Sequence, residues 1–412
     1  MRVLKTLAQT TVLGCAVSMI PAAAFASGWS TEGLNSFDIL FAPEKYVFEA
    51  QATYGDRNVD FEDVEATDPT GSVSGGGADD IAPNVFLGSG AAKIGIGDHF
   101  DFFAKVYQPY RINEEPGSKW AGRRSLGVTD ADALGIDAMA SFKHQIGEKS
   151  QIRVFGGVRS VSLDYLQKSL TYVPASSGPP ATPAFEGDVT IDLETDNREY
   201  GYRIGAAFEI PEIALVAQVT YDSAIAFDLD GDFSVVAPTG VAVSELDATA
   251  SAELPQSIEA SIKTGVAPGW LVSLGVKWID WSVLDKLSVD LSTSGSAVGV
   301  VERDLSYSDG WIVEAGVGHK LTDKLSLGAN VGWDKGIGGP YSDLYYLGLG
   351  GAYDVTENVK LSLGGRAIFK TAGEGTYAIT RNIGGTPTQS VADYEYDSSW
   401  NFAVSSKIRV AF

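Results

Sequence analysis

The chain ends on Trp400-Asn401-Phe402-Ala403-Val404-Ser405-Ser406-Lys407-Ile408-Arg409-Val410-Ala411-Phe412. Trp400, Phe402, Val404, Ile408, Val410 and Phe412 share one face of an extended chain, interrupted only by Ser406. The other face carries Asn401, Ala403, Ser405, Lys407, Arg409 and Ala411. Side chains alternate across a strand, so this stretch reads as a β-strand with one apolar and one polar face. The same pattern recurs upstream. Trp311, Val313, Ala315 and Val317 alternate with Ile312, Glu314, Gly316 and Gly318, and Val359, Leu361, Leu363 and Ala367 alternate with Lys360, Ser362, Gly364 and Arg366.

The connections between such segments come in two kinds. Six are tight, around Gly97-Asp98, Gly147-Glu148-Lys149, Pro211-Glu212, Pro268-Gly269, Thr322-Asp323 and Thr356-Glu357-Asn358. Seven are mostly long and polar, about residues 55–82, 111–130, 167–192, 230–252, 283–307, 335–342 and 371–395. The two kinds alternate strictly and imply fourteen strands. Short periplasmic turns opposite long outer loops, with an even strand number, are the pattern of outer-membrane barrels. Both termini are then periplasmic.

A soluble sandwich also shows alternation. Three features favour the membrane. The apolar faces carry Tyr46, Tyr54, Trp270, Trp278, Trp311, Trp333, Tyr353 and Trp400 near strand ends, as interfacial girdles require. The opposite faces are rich in Gly, Ser and charge, which suits a wet or plugged lumen. A closed barrel also pairs every backbone group, as lipid demands. The expected fold is all-β, a closed antiparallel transmembrane β-barrel of about fourteen strands over residues 45–412, with a short N-terminal plug at 27–44.

Residues 1–26 read as a secretory signal: Arg2 and Lys5, a largely apolar run from Leu7 to Ile20, and the small-x-small site Ala24-Phe25-Ala26. A spanning anchor is the alternative, but Gln9, Thr10 and Thr11 break the run short of the roughly 20 residues needed. Lipid attachment at Cys15, the only cysteine, ranks below simple cleavage. Cleavage leaves no cysteine for disulfides or thiolate metal sites. His99, His144 and His319 are far apart, so no metal site is expected, and no cofactor.

The formal charge is −23, and losing Arg2 and Lys5 makes the mature chain more acidic still. Such acidity argues against nucleic acid as a partner. It does not indicate disorder, because hydrophobic residues make up 44% and aromatics 10%. With no G-x-S-x-G and no histidine in a nucleophile context, no catalytic residues are expected and the chain is not read as an enzyme. Of two acidic clusters, Glu62-Asp63-x-Glu65 and Asp228-x-Asp230-Gly231-Asp232, the second resembles a calcium loop but lacks the full spacing. Both read as solvated loop charge.

Extending the alternation gives an inward set of mixed sign: Glu49, Asp101, Lys105, Asp137, Arg153, Arg159, Arg203, Asp222, Glu259, Lys263, Lys277, Glu314, Lys360, Arg366, Lys407 and Arg409. A cross-strand ion-pair network is favoured over a polar conduit for most of them. Phe103, Tyr107, Phe155, Leu163, Ile279, Trp281, Ile312 and Ile368 are inward, bulky and apolar. They either line a greasy pocket or pack against the N-terminal segment, whose anchors are Trp29, Leu34, Phe37, Ile39, Leu40 and Phe41.

Four stretches resemble the FadL-type outer-membrane transporters of long-chain fatty acids and aromatic hydrocarbons. They are Asp79-Asp80-Ile81-Ala82-Pro83-Asn84, Tyr221-Asp222-Ser223 with Asp228-Leu229-Asp230-Gly231-Asp232-Phe233, Leu254-Pro255-Gln256-Ser257, and Trp278-Ile279-Asp280-Trp281-Ser282. The resemblance covers essentially the whole mature chain. It implies a fourteen-stranded barrel with an N-terminal hatch, passive uptake of a hydrophobic small molecule through an apolar pocket, and sideways release at a kinked third strand. Here the pre-barrel segment is shorter than the family's hatch, its N-P-A motif appears as Phe41-Ala42-Pro43, and the third strand, His99 to Tyr110, has no internal glycine. Arg159 and Arg203 are the candidates for binding a substrate carboxylate. The expected surroundings are outer-membrane lipid and lipopolysaccharide, with the protein a monomer. The alternative function is a general porin, or a structural or adhesive barrel.

Overall fold

The computed structural model describes residues 28–177, 183–195 and 197–412. The signal segment and Ser27 lie outside the described residues. The wall consists of β1 (Tyr46–Asp56), β2 (Val85–Ile96), β3 (Phe100–Tyr107), β4 (Val128–Gln145), β5 (Gln151–Val173), β6 (Glu199–Ile210) and β7 (Leu215–Asp222). It continues through β8 (Ser257–Ala267), β9 (Trp270–Ile279), β10 (Gly310–Lys320), β11 (Leu325–Asp334), β12 (Leu344–Asp354), β13 (Val359–Lys370) and β14 (Ser399–Ala411). Each strand pairs antiparallel with the next. The ring closes where β1 meets β14, from Val47–Ala411 to Asp56–Phe402. The fourteen-strand barrel expected from the alternation is therefore the architecture observed.

The outward faces are apolar. On β14 and the residue that follows it, Trp400, Phe402, Val404, Ile408 and Phe412 are exposed, while Asn401, Ala403 and Ser405 are buried on the lumen side. An apolar belt around an entire wall has no aqueous explanation and marks the surface that faces lipid. Trp278 and Trp333 sit at the outer rim, each indole N–H donating to a loop carboxylate, Asp309 and Asp343, at 3.0 Å. The tight turns are built by local chemistry. In two of them a threonine hydroxyl, Thr322 or Thr356, accepts the backbone N–H groups two and three residues on.

The long outer connections differ from solvated loops. Six contain paired strands, and most of the hairpins among them also pair with one another. The outer half of β5 leads to Phe185–Glu194, then Ile225–Val236, Ala242–Leu254, Lys286–Thr293, Ser296–Asp304, Gly373–Ile383, Thr386–Tyr396 and Glu62–Asp68 in one antiparallel ladder. This collar stands on the barrel. One face of it is apolar and buried: Ile191, Leu193, Phe227, Leu229, Phe233 and Val289 belong to the same core as the lumen residues Leu163, Trp281 and Ile312. The other face carries Asp192, Asp228, Asp230, Asp232 and Asp247, all exposed. The second acidic cluster thus lies on a strand, where alternate side chains point the same way, and not in a calcium-type turn. Among the described residues no group of side chains is arranged to hold a metal ion.

Candidate functional site

Residues 28–44 run through the lumen and are tied to the wall at several levels. The backbone of Trp29 accepts from the Arg111 N–H at 2.8 Å, and the Thr31 N–H donates to the Pro109 carbonyl at 3.0 Å. Deeper, Asn35 donates its backbone N–H to Glu259 at 2.9 Å and accepts from Gln218 and Ser261, both at 2.7 Å. Asp38 pairs with Lys263 at 3.1 Å. Toward the periplasmic end, the Leu40 carbonyl accepts from Arg153 at 3.0 Å and the Glu44 carbonyl from Lys93 at 2.6 Å.

Glu32 sits at the centre of this segment. Its buried carboxylate meets Lys105 at 2.8 Å and both Arg159 and Arg203 at 3.6 Å. Burial pushes the carboxyl up, but Lys105, Arg203 and Arg159 together hold it well below the usual range. The two arginines are engaged on the wall as well. Arg203 forks onto Asp222 at 2.6 and 2.8 Å and reaches Asp137 at 3.0 Å, and Arg159 lies 3.4 Å from Asp222. The Tyr107 hydroxyl donates to Asp137 at 3.1 Å. The inward charges form the ion-pair network that the alternation favoured. Arg153 bridges Asp101 and Glu209 at 2.6 Å each. Glu49 holds Lys407 and Arg409 at 3.1 and 2.8 Å, and Arg366 meets Glu314 at 3.0 Å.

The apolar lumen residues are all buried, but they fall into separate groups. Phe155 packs against Phe37 and Phe41, with ring centroids at 5.4 and 5.9 Å, and belongs with Phe103 and Leu40. Trp281 lies 6.1 Å from Trp29, in a cluster with Leu34, Leu163, Ile279 and Ile312. Leu34 presses on the wall at Gly275, where an added Cβ would come within 2.8 Å of its methyl carbon. Ile368 is apart, with Val85 and Leu87. Of the proposed path residues, Phe103 and Tyr107 border a mid-lumen cavity, together with Leu87, Ser89, Gln108, Glu49 and Asn330. Arg159 and Ile279 touch only a small crevice beside Glu32. Packing against the N-terminal segment, one of the two readings open for the bulky inward residues, describes Phe155 and Trp281.

Among the described residues, the wall ladder is interrupted between β2 and β3. β2 pairs with β1 out to Gly55–Val85, but its pairing with β3 stops at Gly90–Val106. Beyond Tyr107 the chain turns into the lumen. The carbonyls of Gln108 and Pro109 accept from the Thr31 hydroxyl and N–H, and Tyr110 bridges to Ser30. The chain rejoins β4 at Arg111–Glu114. A proline donates nothing to a ladder, so Pro109 was the visible signal of this break, which a search for glycine overlooks. The mid-lumen cavity borders this gap through Leu87, Gly88, Ser89 and Gln108. A second cavity lies on the outer side and shares Thr31 and Leu87 with the first. A third opens at the periplasmic mouth between Phe41, Pro43, Arg153 and Lys360.

The family described as outer membrane protein transport protein (OMPP1/FadL/TodX) matches residues 5–405. Outer membrane protein P1 of Haemophilus influenzae is 21% identical over 321 residues, which are 71% of this chain and 68% of that protein. Among solved structures, a Pseudomonas aeruginosa FadL homologue superposes with a TM-score of 0.76 at 17% identity, covering 96% of this chain and 98% of its own. The Ralstonia pickettii toluene transporter TbuX gives 0.62 at 14% identity over 96% and 97%. At these identities the structural likeness speaks to fold.

Proposed function

This chain belongs to the outer membrane protein transport family (OMPP1/FadL/TodX), and from that premise we propose that it admits hydrophobic compounds by passive diffusion through its lumen. It is an outer-membrane transport protein and not an enzyme. The observation that carries the proposal is the succession of outer cavity, mid-lumen cavity and wall gap, joined at Thr31 and Leu87. A solute that leaves through the gap between β2 and β3 enters lipid directly from the mid-lumen cavity, where Glu32 and Lys105 share the lining with Leu34, Ile39, Leu87 and Phe103. Each methylene moved from water onto the apolar part of that lining, at Leu34, Ile39, Leu87 and Phe103, gains about 0.8 kcal/mol, so the path retains solutes with apolar surface. The N-terminal segment across the lumen speaks against a general porin. It serves in this reading as a short plug, with Trp29, Leu34, Phe37, Leu40 and Phe41 as its anchors.

The test is uptake by a strain lacking the protein, using long-chain fatty acids and neutral hydrocarbons side by side. Uptake of at least one class falls, and the intact gene restores it. Unchanged uptake of both overturns the proposal.

A further inference from the structure

The mid-lumen cavity has two kinds of lining. Leu87 and Phe103 lie beside the gap, whereas β1, β8, β9, β11 and β14 contribute Gln51, Ser261, Ser273, Asn330 and Lys407. Lys407 is held in place by Glu49 at 3.1 Å. The side-chain carbonyl of Asn330 is buried and, among the described residues, has no hydrogen-bond partner. A buried polar group needs one, and water filling a polar cavity supplies it. This side of the lumen is built to be wet.

The same cavity also reaches toward the periplasm. Asp38 and Lys263 border both it and the cavity at the periplasmic mouth, just as Thr31 and Leu87 border both it and the outer cavity. Asp38 opens the short turn Asp38–Phe41 of the N-terminal segment, and Lys263 belongs to β8. Their ion pair, at 3.1 Å, stands between the two lower cavities, with the side chains of Lys263 and Asp38 20% and 10% exposed. A pair that keeps contact with water holds only weakly and can part. A charged species cannot follow an apolar solute through the gap, because lipid would strip its hydration without compensation. Along the Ser, Asn and Lys lining it keeps that hydration.

We propose a second activity: the protein conducts water and small monovalent ions along the barrel axis, past the N-terminal segment, with the Asp38–Lys263 pair as the constriction that limits the flow. The two routes share the mid-lumen cavity and part there, apolar solutes toward the gap and ions toward the periplasmic mouth. The pair also sets which ion passes. Its two charges balance in the intact protein, and removing either one leaves the other facing the passage.

The test is the current through a planar bilayer holding the full protein under a potassium chloride gradient. The intact protein gives a small, steady conductance. Lys263→Met raises it at least twofold and moves the reversal potential toward that of potassium, whereas Asp38→Asn moves it toward that of chloride. A conductance no greater than that of the protein-free bilayer overturns the proposal, and so does a reversal potential that neither substitution moves. If one variant lacks the heat-dependent gel shift of a folded barrel, the other decides; if both lack it, the intact protein's conductance decides alone. Uptake of hydrophobic compounds stands or falls separately, since no arm of this measurement contains one.

Discussion

Glu32 is a single carboxylate set among Lys105, Arg159 and Arg203, and it holds the N-terminal segment against β3, β5 and β6. Removing one partner of a buried ionic group costs about 3–5 kcal/mol, because the remaining charges keep their desolvation penalty. Glu32→Gln therefore loosens the segment by about 3 kcal/mol, read as a lower unfolding midpoint and faster protease cleavage near residue 32. An unchanged cleavage rate would mean that the apolar anchors hold the segment alone. The pH dependence follows from the depressed pKa. The contribution of Glu32 is complete above its ordinary value of 4.5 and is lost only as pH falls through the lower folded value. Cleavage near residue 32 should therefore be the same at pH 8 and pH 6 and rise in strong acid. The inward orientation of Arg159 and of Arg203 was legible from alternation along β5 and β6, each strand by itself. Their partner was not, because Glu32 stands more than a hundred residues away and only the closed ring brings the two together.

At the level of elements, strands and tight turns were legible because both are local. Period-2 alternation, and turns such as Thr322-Asp323 and Thr356-Glu357-Asn358, act within a few residues. The collar was not. Its ladder joins hairpins from different loops, and Asp247–Ser292 or Glu65–Asp393 pairing has no local signature. The gap between β2 and β3 sits between these cases, written in Pro109 but recognisable only with the pairing in view. If release is lateral, filling the gap blocks it. Ser89→Trp places a large side chain where the mid-lumen cavity meets the break. Uptake should fall at least tenfold while binding of the same compound changes less than twofold. Unchanged uptake would assign release to the periplasmic mouth.

At the level of the whole molecule, ring closure and plugging are separate features. Closure depends on the β1–β14 pairing and on the backbone bonds between Tyr46 and Phe412 at 3.0 and 2.8 Å. Plugging depends on residues 28–44. Deleting residues 28–41 should leave a folded barrel with a conductance well above that of the intact protein, and equal conductance would mean that these residues do not close the lumen. Phe412 ends an outward apolar face and lies beside Tyr46, so the stretch that defined the fold also closes the ring. The central claim is selective admission of hydrophobic solutes, and the most direct measurement is solute entry into vesicles containing the intact protein. Dodecanoate or dodecanol should enter faster than in protein-free vesicles while arabinose does not. Entry of arabinose with no acceleration of either dodecyl compound would contradict it.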